Sequence, residues 1–355
     1  MGTAFCRQMS SSTQVFTTTQ DSATERLLSF LDRQGIKKPS AVALTPDAST
    51  RKYFRVPWKN GNAVVAVYPE PFDPQLHPYL DVTRLFLEAD IPVPEIFAVD
   101  GANGIIVQED LGDKQLFSIY EDASEDECES YKEQAINLIA RIQQATERAK
   151  EVNSIASRLA FDEPKLSWEL DFFVEHYFGS LRKETLRHSE AAELKAELND
   201  IAAELASVPR VLCHRDFHGA NLMVDRKNRL RVVDHQDARM GPATYDLVSF
   251  LLDRQPCPPS LAELRAYRLL LIEERRLKGL PVLDPDEFAR EFRLMTIQRG
   301  LKATGTFSYQ TGVAGRGEFY ERFIDPTLVI VLQAVDWLER FPTLRRMIAE
   351  RIKVN

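Results

Sequence analysis

Cysteine is scarce in this chain: 355 residues hold Cys6, Cys128, Cys213 and Cys257, and no two of them stand at C-x-x-C spacing. Their scatter excludes a disulfide scaffold and a thiolate zinc site, and suits a reducing compartment. Long hydrophobic runs are missing too, and no stretch approaches the roughly 20 apolar residues of a membrane-spanning helix. The first twenty residues are rich in Ser, Thr and Gln without an apolar core, so they do not read as a signal peptide. Met1-Gly2 does not make a myristoylation signal, because Cys6 stands where Ser or Thr is needed. Basic excess is absent as well. Lys and Arg number 45 against 53 Asp and Glu, a formal net charge of -8, with the signs interspersed. That balance speaks against nucleic acid or an anionic membrane as partner, since both select a basic face. What remains is a cytoplasmic globular protein, 44% hydrophobic and 28% charged, long enough for two cores and free of repeats.

Residues 1–20 read as a frayed tail. Ser22 and Glu25 form a capping-box pattern ahead of Leu27, Leu28 and Leu31, and Gly35 stops that helix. A strand over 53–56, a turn at Asn60-Gly61-Asn62 and a β-branched strand over 63–68 predict a hairpin. Residues 81–89 read as a helix that ends before Ile91-Pro92-Val93-Pro94, and 104–109 as a further strand. From about Glu121 the pattern is helical, interrupted by two short buried strands over 211–216 and 230–234. The order suggests an α+β chain with a small β-rich N-lobe and a larger, mainly helical C-lobe.

The interruption carries the chemistry. Residues 214–221 read His-Arg-Asp-Phe-His-Gly-Ala-Asn. Phosphoryl transfer needs a carboxylate to orient and deprotonate the attacking hydroxyl, and oxygen ligands to hold Mg²⁺ on the phosphates. Asp216 is the candidate base. Asn221, through its amide oxygen, and Asp234, closing the next strand, are the candidate metal ligands. A lone H-x-D is weak, but this ordered set is specific. The bland alternative makes Asp216 a turn cap, Asn221 a filler of a left-handed position and Asp234 a strand end.

These residues resemble the catalytic loop of the aminoglycoside phosphotransferase family, itself similar to protein kinases. The resemblance implies a bilobal protein-kinase-like fold using ATP and Mg²⁺, with residues 21–110 as nucleotide-binding N-lobe and 111–355 as catalytic and sugar-binding C-lobe. Past Asp234 the chain departs from protein kinases, with His235-Gln236-Asp237 in place of Phe-Gly. The run from there through Gly241-Pro242-Ala243-Thr244-Tyr245-Asp246-Leu247 to Asp253 resembles the anomeric kinases of cell-wall recycling. Those enzymes phosphorylate N-acetylmuramate and N-acetylglucosamine at C1. Residues 47–55, 108–113 and 298–302 are similar to their N-lobe turn, lobe connection and late helix, so the similarity covers most of the chain from about residue 25. It implies a small-molecule sugar as substrate. Rival readings are a kinase of an aminoglycoside, choline or another sugar, and a nucleotide-binding pseudokinase.

Individual residues follow from that frame. Ser49, Thr50 and Arg51 are the expected phosphate contacts, and Gln108, Glu109 and Leu111 the segment against adenine. The strand over 63–68 contains no Lys to grip the phosphates, and Arg51, Lys52 and Arg55 are the nearest cations. Gln236 and Asp237, a short amide-carboxylate pair beside the metal ligands, are candidates for binding sugar hydroxyls or for loop scaffolding. Glu169, next to Trp168 at an expected helix start, and His218 are further substrate candidates, each with a packing alternative. Asp246 is expected to hold the catalytic loop, while His235 and Cys213 are expected to pack.

Overall fold

The computed structural model describes residues 22–36, 40–44, 50–59, 61–120, 122–253 and 259–352, with Glu318 described in its backbone alone. The described residues form two compact units, one from those within 22–77 and 94–111, the other from those within 78–93 and 112–352. The sequence suggested a single crossing near residue 110. Instead the helix Pro78–Glu88, which starts three residues earlier than expected, belongs to the second unit. Its Val82, Leu85 and Phe86 are buried in that unit's core, and the Asp81 carboxylate accepts from Ser154 Oγ (2.5 Å) and the Ile155 N–H (2.8 Å).

In the first unit five strands form one antiparallel sheet: β1 (Val42–Leu44), β2 (Lys52–Trp58), β3 (Gly61–Val67), β4 (Ile96–Asp100) and β5 (Ile105–Glu109), in the order β1-β2-β3-β5-β4. Alternation decides which face is buried. Phe54, Val56 and Trp58 of β2 and Ala63, Val65 and Val67 of β3 point to the same side, where Leu27, Phe30 and Leu31 of the helix Ser22–Arg33 cover them. Ser22 is already helical there, so the cap expected at Ser22 is not seen, and the residues before it lie outside the described ones. Gly35 follows it at φ +77°, the left-handed stop that the sequence anticipated. The hairpin turn sits earlier than Asn60-Gly61-Asn62: Lys59 takes the left-handed conformation (φ +49°) and Gly61 already pairs with Trp58.

The second unit is helical around one large core. The helix Glu125–Gln144 starts behind a capping box of Ser124 and Glu127, so the acidic run precedes and enters it rather than opening it at Glu121, which lies outside the described residues. The helix Glu163–Phe173 carries Trp168 in its middle, not at its start, and runs into a π-helical segment Val174–Leu181. Tyr245–Leu252 is buried at every position, and Pro285–Gly312 crosses the unit with 14 buried residues. Where two strands were expected, there are two small antiparallel pairs. β6 (Arg210–Cys213) joins β9 (Arg239–Pro242), and β7 (Leu222–Val224) joins β8 (Leu230–Val232). Among the described residues no helix is long and apolar enough to cross a membrane.

The long helix packs against Glu163–Phe173 at a glycine. A Cβ added to Gly305 would lie 2.8 Å from the Phe173 Cα, a backbone atom that cannot step aside. Glycine to alanine inside a helix ordinarily gains about 0.5–1 kcal/mol. Gly305→Ala is expected to reverse that sign and cost about 1–3 kcal/mol through overpacking, read as a lower urea midpoint; an unchanged or raised midpoint would show that the two helices can separate freely.

Candidate active site

The loop 214–221 hangs between the two strand pairs, and its backbone is fixed from below. Asp246, in the first turn of Tyr245–Leu252 and fully buried, accepts the N–H of His214 (2.7 Å) and the N–H of Arg215 (3.0 Å) with its two carboxylate oxygens. Burial pushes its pKa up from the ordinary value against the pull of His214, the two N–H groups and Arg299. Arg215 stands at φ +88°, which a non-glycine residue holds only where its surroundings over-determine it. Here they do: its N–H goes to Asp246 and its carbonyl accepts from Arg299 Nη1 at 3.0 Å. Arg299, itself buried, is locked by Asp253, by Ser249 Oγ (2.9 Å) and by the Tyr245 ring 4.4 Å below. On the other side His214 Nε2 lies 3.0 Å from the Val233 carbonyl; a carbonyl only accepts, so that nitrogen carries the proton.

Strand register brings the three chemistry-bearing residues together. Leu222 pairs with Val232, and the Val233 N–H donates to the Asn221 carbonyl (3.0 Å), so Asn221 and Asp234 flank the same end of the β7–β8 hairpin. Asn221 spends its amide nitrogen on the Asp216 carbonyl (2.9 Å), which leaves Oδ1 as the atom that could accept from a donor or a cation. Asp234, solvent-exposed at φ +60°, receives Gln236 Nε2 on Oδ1 at 2.9 Å. One amide and one carboxylate oxygen suit Mg²⁺, which keeps several waters and takes its remaining ligands from phosphates. They do not make a closed cage, and among the described residues no group of three or more His, Cys, Asp or Glu does.

Asp216 opens into a small cavity of about 60 Å³ that His218, Asp253, Arg299, Lys302 and Phe307 also line. Burial raises its pKa, but Lys302 (3.9 Å), Arg215 (3.7 Å), Arg299 and His218 outweigh that and hold the carboxyl well below the usual range. Asp216 is therefore held as a carboxylate of low basicity. The sequence reading assigned no role to Arg299 and Lys302. Their signal was present, since polar Gln298, Arg299 and Lys302 interrupt a helix whose other residues in that stretch are buried and apolar.

The remaining expected residues scatter. Asp237 is drawn from the sugar-binding role foreseen for it into an ion pair with Arg215 (2.9 Å), with Arg239 at 3.8 Å, which favours the scaffolding alternative. Gln236 bonds Asp234 and buries its own carbonyl oxygen without a partner. Glu169 is no exposed helix-start acid; it is buried, its Oε2 accepts from Gln298 (2.8 Å), and its Oε1 makes no hydrogen bond but faces the Lys165 ammonium at 3.6 Å. Trp168 is exposed under the Lys165 ammonium. His235 packs as expected, stacked on Tyr79 and Phe86; burial drives its pKa well down, and Nε2 meets Thr83 Oγ1 at 2.7 Å. Cys213 is buried and its thiol pushed up by burial, so it is inert. In the first unit Thr50 is exposed, and Arg51 lies 5.7 Å from the Tyr53 and Tyr68 rings. Gln108 and Glu109 end β5, Leu111 is half-buried, and Arg55 is committed to Asp110 (2.7 and 3.0 Å). Ser49 lies outside the described residues.

Comparison with known proteins gives the same picture. The profile of the phosphotransferase enzyme family, APH, matches residues 40–280. A protein of Neisseria meningitidis serogroup B named N-acetylmuramate/N-acetylglucosamine kinase is 30% identical over 268 residues, 74% of this chain and 76% of that one. A protein of the same name from Pseudomonas aeruginosa is 31% identical over 275 residues, 75% of each. An ADP-bound aminoglycoside phosphotransferase structure superposes with a TM-score of 0.53 at 16% identity, covering 86% of this chain and 96% of that one, which shows the fold to be shared.

Removing the Asp246 carboxylate leaves two buried N–H donors of the loop unpaired. Asp246→Ala is expected to cost about 2–4 kcal/mol in chemical denaturation, the sum of two charge-assisted bonds and their desolvation. A cost below about 1 kcal/mol would mean that the loop holds its shape without this residue.

Proposed function

The chain belongs to the phosphotransferase enzyme family, and on that premise we propose that it is a cytoplasmic sugar kinase. It transfers the γ-phosphoryl group of ATP to the anomeric hydroxyl of N-acetylmuramate, N-acetylglucosamine or both, in cell-wall recycling. The observation that carries this reading is the joint placement of Asp216, Asn221 and Asp234 on one loop and hairpin. The names of the relatives supply the acceptor class.

In this mechanism Asp216 accepts a hydrogen bond from the attacking hydroxyl and sets its line of approach. So weak a base takes the proton late, once bond formation to phosphorus has acidified the oxygen, as suits a loose transition state. An anomeric hydroxyl is more acidic than the other hydroxyls of a sugar, which matches that weak base. Asn221 Oδ1 and Asp234 would hold Mg²⁺, which would supply positive charge to the phosphate oxygens. Thr50 and Arg51, with Ser49, take the nucleotide phosphates, and Gln108, Glu109 and Leu111 take the adenine. His218, Glu169 and Gln236 remain candidates for the sugar.

Lys302 adds a discriminating group. Its ammonium lies 3.9 Å from Asp216 and hydrogen-bonds no described residue. N-Acetylmuramate differs from N-acetylglucosamine by a carboxylate, and a lysine with three uncommitted donors fits it.

The test is ATP consumption across N-acetylmuramate, N-acetylglucosamine, glucose, galactose, choline and aminoglycosides, followed by phosphorus NMR of the product. Turnover of the N-acetylated sugars with a C1 phosphate is expected. A C6 phosphate would overturn the anomeric claim and leave the kinase intact, and turnover of choline or aminoglycosides alone would overturn the acceptor class. Asp216→Ala should lower kcat by about 10²–10⁴-fold with unchanged thermal stability; near-normal turnover would remove Asp216 from the mechanism. Lys302→Met should raise KM for N-acetylmuramate by about tenfold or more, the loss of one charge-assisted bond, relative to N-acetylglucosamine. Equal shifts for both sugars would assign Lys302 to the phosphoryl group instead.

A further inference from the structure

A second and larger cavity, of about 630 Å³, lies in the second unit among the ends of Tyr245–Leu252, the helix Leu261–Leu277, the helix Pro285–Gly312 and the helix Ile324–Leu338. Among the described residues it shares no lining residue with the cavity at Asp216. Its volume falls among those of small-molecule sites. The walls are mainly apolar, with Leu261, Leu264, Phe292, Ile330 and Ala334 among them.

Two guanidinium groups break this lining. Arg268 is only 8% exposed, yet it makes no hydrogen bond or ion pair with any described residue; its guanidinium lies 5.2 Å from the Phe292 ring. Arg293 donates to the Ala289 carbonyl (2.9 Å) and lies 3.4 Å over the Trp337 ring, and it too has no carboxylate partner among the described residues. The carboxylate that lines the cavity, Asp336, is taken by Arg345. Burial and then the neighbouring Arg268 push Arg293 down to about 10, and burial followed by Arg265 lowers Arg268. A guanidinium cannot shed its charge at physiological pH and is costly to bury without an anion. Buried arginines are normally paired, and this one instead fronts an empty space of ligand size beside a second cation.

We propose that this cavity is a binding site for an amphipathic organic anion, with a carboxylate or phosphate head on Arg268 and Arg293 and an apolar body along Leu264, Ile330 and Ala334. Arginine's planar fork suits either head by two parallel hydrogen bonds, and the apolar walls exclude a small hydrated ion.

Calorimetric titration of the full chain with octanoate and with octyl phosphate tests this, against octanol and inorganic phosphate. One site per chain is expected for at least one of the two anions, and the tighter of them identifies the head group. Octanol and inorganic phosphate should bind at least tenfold more weakly. Arg268→Met should weaken the anion at least tenfold. Because Arg268 is buried and its replacement could disturb folding, Leu261→Asp provides a second variant: Leu261 is 70% exposed at the rim, and a carboxylate there should also weaken binding. Failure of both anions to bind overturns the site. Octanol binding as tightly as octanoate overturns the role of charge, and unchanged affinity in Leu261→Asp together with folded Arg268→Met places any binding elsewhere.

Discussion

The second unit's chemistry depends on one buried carboxylate. Asp246 sits in the first turn of a helix buried at every position, and its two oxygens take two successive backbone N–H groups. That bidentate grip permits the left-handed Arg215, and the turn at Arg215 in turn presents Asp216. Arg299 closes the arrangement from a helix more than eighty residues away by taking the Arg215 carbonyl. The Asp246 side of the loop is thus fixed through backbone N–H groups rather than through the side chains of Asp216, Asn221 and Asp234. Preorganisation of this kind matters most where catalysis is positioning and electrostatics rather than covalent work.

A net charge of -8 hides a local excess of the opposite sign. Arg215, Arg299 and Lys302 converge on Asp216, and Arg239 stands behind Asp237. Such a neighbourhood is electrostatically unfavourable to a polycation, and it holds the Asp216 carboxylate ionised. Composition alone would have pointed the other way, because an acidic chain is compatible with cationic substrates. The field that matters is that of a few side chains a few ångströms away, where low dielectric makes each charge count more than distant surface charge.

The parts legible in the sequence were those encoded over short spans. The alternation of β2 and β3, the stop at Gly35, and the H-x-D, Asn and Asp set each depend on neighbours within about twenty residues. Asp246 was read correctly as a support, because it follows the loop closely in the chain. Arg299 and Lys302 were not assigned, since only packing of the long helix brings them to the loop. The surroundings of Glu169 and Asp237 were hidden for a related reason: their cationic neighbours, Lys165 for one and Arg215 for the other, show only once packing is known. The strands β7 and β9, of three and four residues, are too short for any period to show.

The passage of residues 78–93 into the second unit bears on how the chain is made. β5, which lies between β3 and β4, is the last strand of its sheet to leave the ribosome, and a helix belonging to another core emerges before it. Val82, Leu85 and Phe86 then wait for the rest of their core cluster, synthesised more than forty residues later, such as Tyr131, Ile139 and Ala156. During translation this segment is an amphipathic helix without a home, of the kind that nascent-chain chaperones recognise. The discontinuity also means that the sheet unit cannot be excised as one uninterrupted piece of gene; a fragment ending at residue 111 would carry an orphaned apolar helix with it.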